Sequence, residues 1–262
     1  MKKHDFFDEN VITGEVGPQA YWEVGSATTS AGSNVSFITQ YYSTEADIDH
    51  SEVWYNITER IYKKVSCPWV TTFTYSVTSE TTAEKRISQK IQEYSHSLAV
   101  WSDSLHAYTF KSSFPIRSTL SSFSWDKVTE FDSTKMNTYF GPTYMQHFKD
   151  SLYTLMKYAD FKKMILGLNL LNDFKQYTDS TQDFNAGVDV FVYHFPKNTN
   201  GDTPVPAGVK TIYDAIPFDK LIEGTSNYEL EYKRTYSVDA IMRVYDTKGV
   251  YGTTTSKTIN IN

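Results

Sequence analysis

The chain contains 262 residues, with 25 Lys and Arg against 31 Asp and Glu, and has a formal net charge of -6. This length suffices for a substantial core in one large domain or two ordinary ones, and the lone Cys67 excludes an intrachain disulfide. Because the cationic residues form no block along the chain, nucleic acid is not an expected partner, and no run of about 18 apolar residues is present to span a membrane.

Residues 1–18 form a polar leader that is predicted to act as a tether. The start Lys2-Lys3-His4-Asp5 lacks the apolar region of a secretory signal. Two interpretations follow, a cytoplasmic protein or a mature exported protein from which the signal has been removed. The long polar leader favours the second interpretation, because it resembles a linker between an anchor and a folded domain.

Four β-strands are predicted in the first part of the chain. Alternating apolar residues indicate strands over 19–24, 34–42 and about 52–65, and a stretch rich in Thr, Phe, Tyr and Val indicates another over 69–77. Trp22 lies on the apolar face of the first strand, so we expect it in the core.

The apolar period then changes from two to about 3.6, which predicts helices. Thr81 and Glu84 have the spacing of a capping box. Residues 102–126 lack a clear period and are predicted to be mostly irregular, and further helices are predicted from about Asp132 to residue 171. The apolar stripe behind the capping box, which we expect to be buried, consists of Ile87, Ile91, Tyr94, Leu98 and Trp101.

Strands are predicted again in the last third of the chain. Residues 187–195 are apolar on both faces, as expected of a strand that is buried on both sides. Residues 229–245 and 251–261 are predicted to form strands around a turn at Asp246-Thr247-Lys248-Gly249.

Strands at both ends of the chain, with helices between them, predict an α+β protein. The expected fold is an immunoglobulin-like β-sandwich interrupted by a long, mainly helical insertion. Residues 19–78 and 187–262 would form the two parts of the sandwich, and residues 79–186 would form the insertion.

The end of the chain carries a family resemblance. It reads Tyr236-Ser-Val-Asp-Ala-Ile-Met-Arg-Val-Tyr-Asp-Thr-Lys-Gly-Val and then Ser256-Lys-Thr-Ile-Asn-Ile-Asn, and it resembles the last two strands of PKD-like or immunoglobulin-like domains in exported bacterial proteins. With its polar leader and Tyr-rich strands, the chain resembles a Bacteroidetes-type surface lipoprotein of the kind found beside starch-utilisation-like nutrient uptake systems.

This resemblance implies where the protein acts and with what. It implies export, to the outer-membrane surface or the periplasm, with membrane attachment only through a lipid anchor. The implied partners are a glycan or other extracellular nutrient and an outer-membrane uptake complex.

The chain lacks the sequence motifs of the commonest catalytic sites. His-Glu-x-x-His, Gly-x-Ser-x-Gly, Walker-type and Gly-x-Gly-x-x-Gly patterns do not occur. The resemblance implies instead a non-enzymatic binding protein without a cofactor that captures a glycan or other nutrient, and we expect the helical insertion to supply most of the recognition surface. Two alternatives stay open: an adhesin or structural assembly subunit that acts through exposed edge strands, and a hydrolase with dispersed carboxylates.

Trp125, Asp126 and Arg117 are the predicted ligand-binding residues. Sugar rings have apolar C–H faces, so a glycan site commonly combines a flat aromatic ring with nearby hydrogen-bonding groups. Trp125 lies in the segment predicted to be irregular, where no helical or strand period requires burial. The alternative is that Trp125 belongs to the core, as most large aromatic residues do.

One acidic cluster could offer ligands to a metal ion. It consists of Glu45, Asp47, Asp49, His50 and Glu52. Carboxylate clusters are unspecific, so we interpret this one as a solvated loop between two strands and predict no metal site.

Overall fold

A computed structural model of the protein describes residues 16–68, 72–83, 87–126, 132–170, 174–185, 187–223 and 228–262. The chain is mostly β and divides into two compact units. Unit 1 comprises Met1–Ile61, Thr78–Phe123 and Lys233–Asn262, and unit 2 comprises Tyr62–Val77 and Ser124–Tyr232. The predicted leader lies outside the described residues, except for residues 16–18.

The strands are distributed along the whole chain. They are β1 (Gln19–Val24), β2 (Thr28–Thr29), β3 (Asn34–Tyr42), β4 (Ile48–Pro68), β5 (Thr72–Thr82), β6 (Gln89–Ser95), β7 (Val100–Ser102), β8 (Ala107–Pro115), β9 (Phe123–Asp126), β10 (Asp179–Asn185), β11 (Val188–His194), β12 (Glu229–Asp246), β13 (Tyr251–Thr253) and β14 (Lys257–Ile261).

The helices lie between β9 and β12. They are α1 (Ser133–Tyr139), α2 (Gly141–Leu155), α3 (Tyr158–Gly167), α4 (Ala207–Ala215) and α5 (Phe218–Glu223). Single turns of 3-10 helix are found at His96–Leu98, Ser118–Leu120 and Phe174–Tyr177.

Two sheets share the core of unit 1, an arrangement compatible with a β-sandwich. The smaller sheet has the strand order β1-β3-β8-β7, and the larger has the order β2-β14-β12-β4-β5, with β6 beside β4 and with β13 and β9 beside β12. Trp22, as predicted, is fully buried between them. The other large residues of this core include Phe37, Tyr41, Tyr55, Tyr94, Phe110, Phe114, Met242 and Ile259.

The N-terminal and C-terminal segments of unit 1 contact each other in two places. The short strand β2 pairs in parallel with β14, where Thr28 is opposite Asn260 and Thr29 is opposite Ile261. Gly252 of β13 lies against the backbone of Pro18, and a Cβ atom at position 252 would overlap the carbonyl oxygen of Pro18. This close approach explains why a glycine occupies the middle of β13.

In unit 2, helices pack against the portions of β4 and β5 that belong to it. The hydroxyl of Tyr144 in α2 donates to the carbonyl of Tyr75 at 2.7 Å, and the Lys63 ammonium donates to the carbonyl of Phe140 at 2.8 Å. The ring of Phe148 meets that of Phe73 edge-on at 5.2 Å. These contacts bury the apolar side of α2 against the sheet.

The local signals for helix α1 and for β-strands β1 and β3 agree with the structure. Asp132 caps α1 by accepting from the backbone N–H groups of Thr134 and Lys135. The strands predicted over 19–24 and 34–42 coincide with β1 and β3.

The long helical insertion is not found over its predicted length. Where a helix was expected over 81–101, the chain forms β6, a 3-10 turn and β7, and Glu84 lies outside the described residues. The reason is a bulge in β6: Val53 pairs with Gln92 and Trp54 with Lys90, so Ile91 has no opposite residue. The bulge breaks the period-two pattern and leaves apolar spacings that imitate a helix.

Two further expectations are corrected. The segment 102–126, predicted to be irregular, contains β8 and β9. The strand predicted over 187–195 is present as β11, but its apolar residues are exposed on both faces instead of buried.

Candidate functional site

Trp101 is the most exposed tryptophan among those that the structure describes, with 46% of its surface accessible. It lies in β7, the outermost strand of the smaller sheet of unit 1. Tyr108 of β8 stands directly opposite it in the ladder. The helical stripe predicted that Trp101 is buried, and this prediction is wrong because β7 is an edge strand.

A series of aromatic contacts connects Trp101 to the core of unit 1. Its ring meets that of Tyr108 edge-on, with centroids 5.1 Å apart, and the His96 ring meets Tyr108 at 4.5 Å. His96 Nδ1 and the hydroxyl of the buried Tyr41 are hydrogen bonded at 3.1 Å. The indole is therefore supported by packed rings before any ligand arrives, which reduces the entropy lost on binding.

Polar groups lie beside the indole. The Trp101 indole N–H donates to the Asp103 carboxylate at 2.9 Å, and the hydroxyls of Ser102 and Ser104 are hydrogen bonded to each other at 3.2 Å. We call the set Trp101, Asp103, Tyr108 and His96 the Trp101 edge. Exposed apolar residues near it in the chain are Leu98, Val100 and Leu105.

The composition of the Trp101 edge is suited to binding. An exposed ring offers an apolar surface for a flat ligand, while a carboxylate and hydroxyls nearby can take hydrogen bonds from it.

Of the three residues predicted to bind ligand, Arg117 belongs to unit 1, whereas Trp125 and Asp126 are neighbours in unit 2. Arg117 is exposed and precedes the 3-10 turn Ser118–Leu120 in unit 1. Trp125 lies in β9 in unit 2 and is partly buried, with its ring 5.7 Å from that of Tyr139 and 6.1 Å from that of Phe140. Asp126 is the last residue of β9, and its side chain is outside the part of the chain that the structure describes. A binding site formed by Trp125, Asp126 and Arg117 stays a prediction.

Part of the predicted acidic cluster does converge, but around a lysine. The potential ligand atoms of His50, Glu52 and Glu93 lie within 4.8 Å of one another. The Lys90 ammonium contacts the carboxylates of Glu52 and Glu93, the latter at 2.6 Å. The lysine thus supplies the positive charge that a metal ion would bring to these carboxylates.

The same face of the larger sheet carries Trp54 and Arg243. The Arg243 guanidinium lies 4.1 Å from the centre of the Trp54 ring, and the Trp54 indole donates to Glu52 at 2.7 Å. Burial acts to raise the pKa of Glu52, but hydrogen bonds from Lys90, Trp54 and Tyr245 outweigh it, so this pKa lies below its ordinary value. Because Arg243 covers the Trp54 ring, this indole is less available to a ligand than that of Trp101.

Sequence reasoning missed the Trp101 edge because it assigned Trp101 to a helix. A signal for the correct structure was present in Ser102-Asp103-Ser104, a run of turn-forming residues directly after Trp101. Such a run between two segments rich in aromatic residues indicates a hairpin, and a hairpin would have placed Trp101 on a strand.

Comparisons with known proteins add no relatives. No protein-family model matches the chain, and no curated protein or solved structure matches it either. None of the helices within the described ranges has both the length and the hydrophobicity needed to cross a membrane.

Proposed function

We propose that this protein is a non-enzymatic binding protein that captures a glycan at the Trp101 edge. The exposed indole of Trp101 is the observation that carries this proposal. With 46% of its surface in water, the indole offers an apolar ring face to a sugar, and its Asp103 and Tyr108 neighbours supply a polar group and a fixed support.

The proposal includes an immunoglobulin-like fold for unit 1. Two sheets that share one core, with the short strand β2 beside β14, support an immunoglobulin-like sandwich. The resemblance of the last two strands supports export to the outer-membrane surface, where the glycan would pass to an uptake complex. Protease treatment of intact cells, which digests only surface-exposed proteins, checks this location.

The charges around Glu52 favour binding over hydrolysis. A glycosidase needs one carboxyl group with a raised pKa to act as general acid. Glu52 and Glu93 converge with His50, and Lys90 is paired with both. Because the pKa of Glu52 lies below its ordinary value, Glu52 is a poor proton donor.

Calorimetric titration with amylose, xylan and galactan oligosaccharides tests the proposal. We expect saturable binding of one of these glycans to the native protein. Trp101→Ala should weaken that binding at least about tenfold, which corresponds to about 1.4 kcal/mol, because the stacking surface is lost. Trp101→Phe should keep part of the affinity.

Trp125→Ala is the matched control, since it removes the tryptophan predicted from the sequence. It should leave the affinity unchanged, provided that circular dichroism shows both variants to be folded. Loss of binding with Trp125→Ala alone would move the site to unit 2, and the absence of binding to every glycan would overturn the proposal.

A further inference from the structure

The hairpin of β10 and β11 in unit 2 exposes an unusual amount of apolar surface. Its two strands pair antiparallel from Asp179 opposite His194 to Asn185 opposite Val188, and Gly187 in the turn has a φ of +77°. Between 40% and 74% of each large apolar side chain is exposed: Phe184, Val188, Val190, Phe191, Val192 and Tyr193.

This exposure conflicts with the sequence of β11. A continuous run of β-branched and aromatic residues is typical of a strand covered on both faces. The six side chains together expose on the order of 500 Å² of apolar surface, which is divided between the two faces of the hairpin. Within the described residues β11 has β10 on one side and no strand on the other. An open edge of this kind is a template for another strand.

We propose that a second copy of this chain adds to the open edge of the hairpin, by antiparallel pairing of β11 with β11 about a two-fold axis at Phe191. Phe191 is the central residue of the seven-residue strand, so pairing centred there engages the whole strand. Val190 then stands opposite the partner's Val192, and two symmetric hairpins form one four-stranded sheet. The pairing satisfies the open backbone groups of both β11 strands and adds cross-strand contacts between their β-branched and aromatic side chains.

Charge complementarity supports this arrangement. In the proposed register Asp189 of one copy stands opposite Tyr193 of the other, on the same face of the new sheet. The Lys175 ammonium lies 5.9 Å from the centre of the Tyr193 ring, and Lys162 lines the groove beside Tyr193. An incoming Asp189 carboxylate therefore meets positive charge, and no like charges stand opposite each other along β11.

Cysteine cross-linking tests the register. In a Cys67→Ala background, which removes the only native thiol, Phe191→Cys should form a disulfide-linked dimer with oxidised glutathione. Val190→Cys mixed with Val192→Cys should cross-link to each other faster than either does to itself, because opposite residues have Cβ atoms about 5 Å apart. Equal cross-linking in all combinations would indicate unspecific contact and overturn the proposal.

Sedimentation of the full chain over a range of concentrations tests the dimer itself. We expect dissociation in the micromolar range, weakened about tenfold by Val190→Lys, because a charged side chain replaces the apolar contact with Val192 on both sides of the two-fold axis. Leu155→Lys, at an exposed apolar position of α2, is the control and should leave the dimer intact. A native protein that stays monomeric, or a dimer that Val190→Lys does not weaken, would overturn the proposal; glycan binding at Trp101 is measured independently.

Discussion

Lys149 is a buried cation in α2 of unit 2. Its ammonium donates to the carbonyls of Asp214 and Ile216, at 2.9 and 2.7 Å, where α4 ends, and it lies 5.5 Å from the centre of the Tyr213 ring. Burial lowers the pKa of Lys149. The contacts show what compensates this cost, because the carbonyls at a helix C-terminus lack donors and carry partial negative charge.

Replacing Lys149 should therefore destabilise unit 2. Lys149→Met keeps much of the side-chain volume but leaves the carbonyls of Asp214 and Ile216 without this donor. We expect the free energy of unfolding to fall by about 2–4 kcal/mol, measured as a lower urea midpoint.

Lys210→Met provides the matched control on the neighbouring helix. Lys210 forms an exposed ion pair with Asp214, and such pairs contribute less than about 1 kcal/mol. If the Lys149 and Lys210 variants lost equal amounts of unfolding free energy, the carbonyl contacts of Lys149 would stabilise unit 2 no more than an exposed ion pair does.

Individual tryptophans illustrate what the sequence can predict at this scale. Trp22 lies in a regular alternation, and its predicted burial is confirmed. The prediction for Trp101 was wrong, since its environment depends on which strand lies beside β7 and on β7 being the last strand of its sheet within the described part of the chain. Whether a strand lies at the edge or in the centre of a sheet depends on how all the strands pair. The local spacing of apolar residues therefore carried little information about the exposure of Trp101.

The same limit applies to whole elements. Helix α1 has a local start signal in Asp132 and was predicted near its true position. Strand β6 depends on β4, which lies far away in the sequence, and its bulge at Ile91 is a property of that pairing. A local pattern cannot reveal a bulge whose cause is a distant strand.

Strand β13 gives a prediction at the element scale. Because a Cβ at Gly252 would overlap the Pro18 carbonyl oxygen, Gly252→Ala must push β13 away from the residues that precede β1. We expect a loss of at least about 3 kcal/mol in unfolding free energy, read from the thermal or urea transition of unit 1.

Gly249→Ala is the control in the adjacent turn. Gly249 has a φ of +83° and no atoms near its missing Cβ, so alanine there adds only backbone strain, about 1–2 kcal/mol. If Gly252→Ala proved no worse than Gly249→Ala, the close approach to Pro18 would not be a constraint on the fold.

Across the whole molecule, the 20 tyrosines make stability sensitive to alkali. Burial raises the pKa of Tyr41 from its ordinary 10.0 to about 12, and it raises the pKa of Tyr55 and Tyr94 as well. The unfolded phenols ionise from about pH 10, whereas the folded Tyr41 stays neutral until about pH 12, so stability falls as pH rises through this window. Tyr41 alone should account for on the order of 2 kcal/mol.

Comparison with Tyr41→Phe isolates this contribution. At about pH 8 the variant should be less stable by about 1 kcal/mol, because the hydrogen bond to His96 is lost. At about pH 11.5 the difference should shrink or change sign, since phenylalanine has no proton to lose in the unfolded state. Urea midpoints of the native protein and the variant at the two pH values measure this stability difference. A difference that is the same at both pH values would contradict a raised pKa for Tyr41.

The parallel pairing of β2 with β14 joins a strand that is synthesised early to one that is synthesised last. A ribosome makes Thr28 and Thr29 early, but their partners Asn260 and Ile261 are added only after every residue of unit 2. At about 5–20 residues per second the delay is on the order of ten seconds or more. During that interval the core residues Trp22 and Phe37, which lie on the smaller sheet, lack strands β12 and β14 of the larger sheet that shares their core. A chaperone has this interval in which to bind them, while unit 2 can already close.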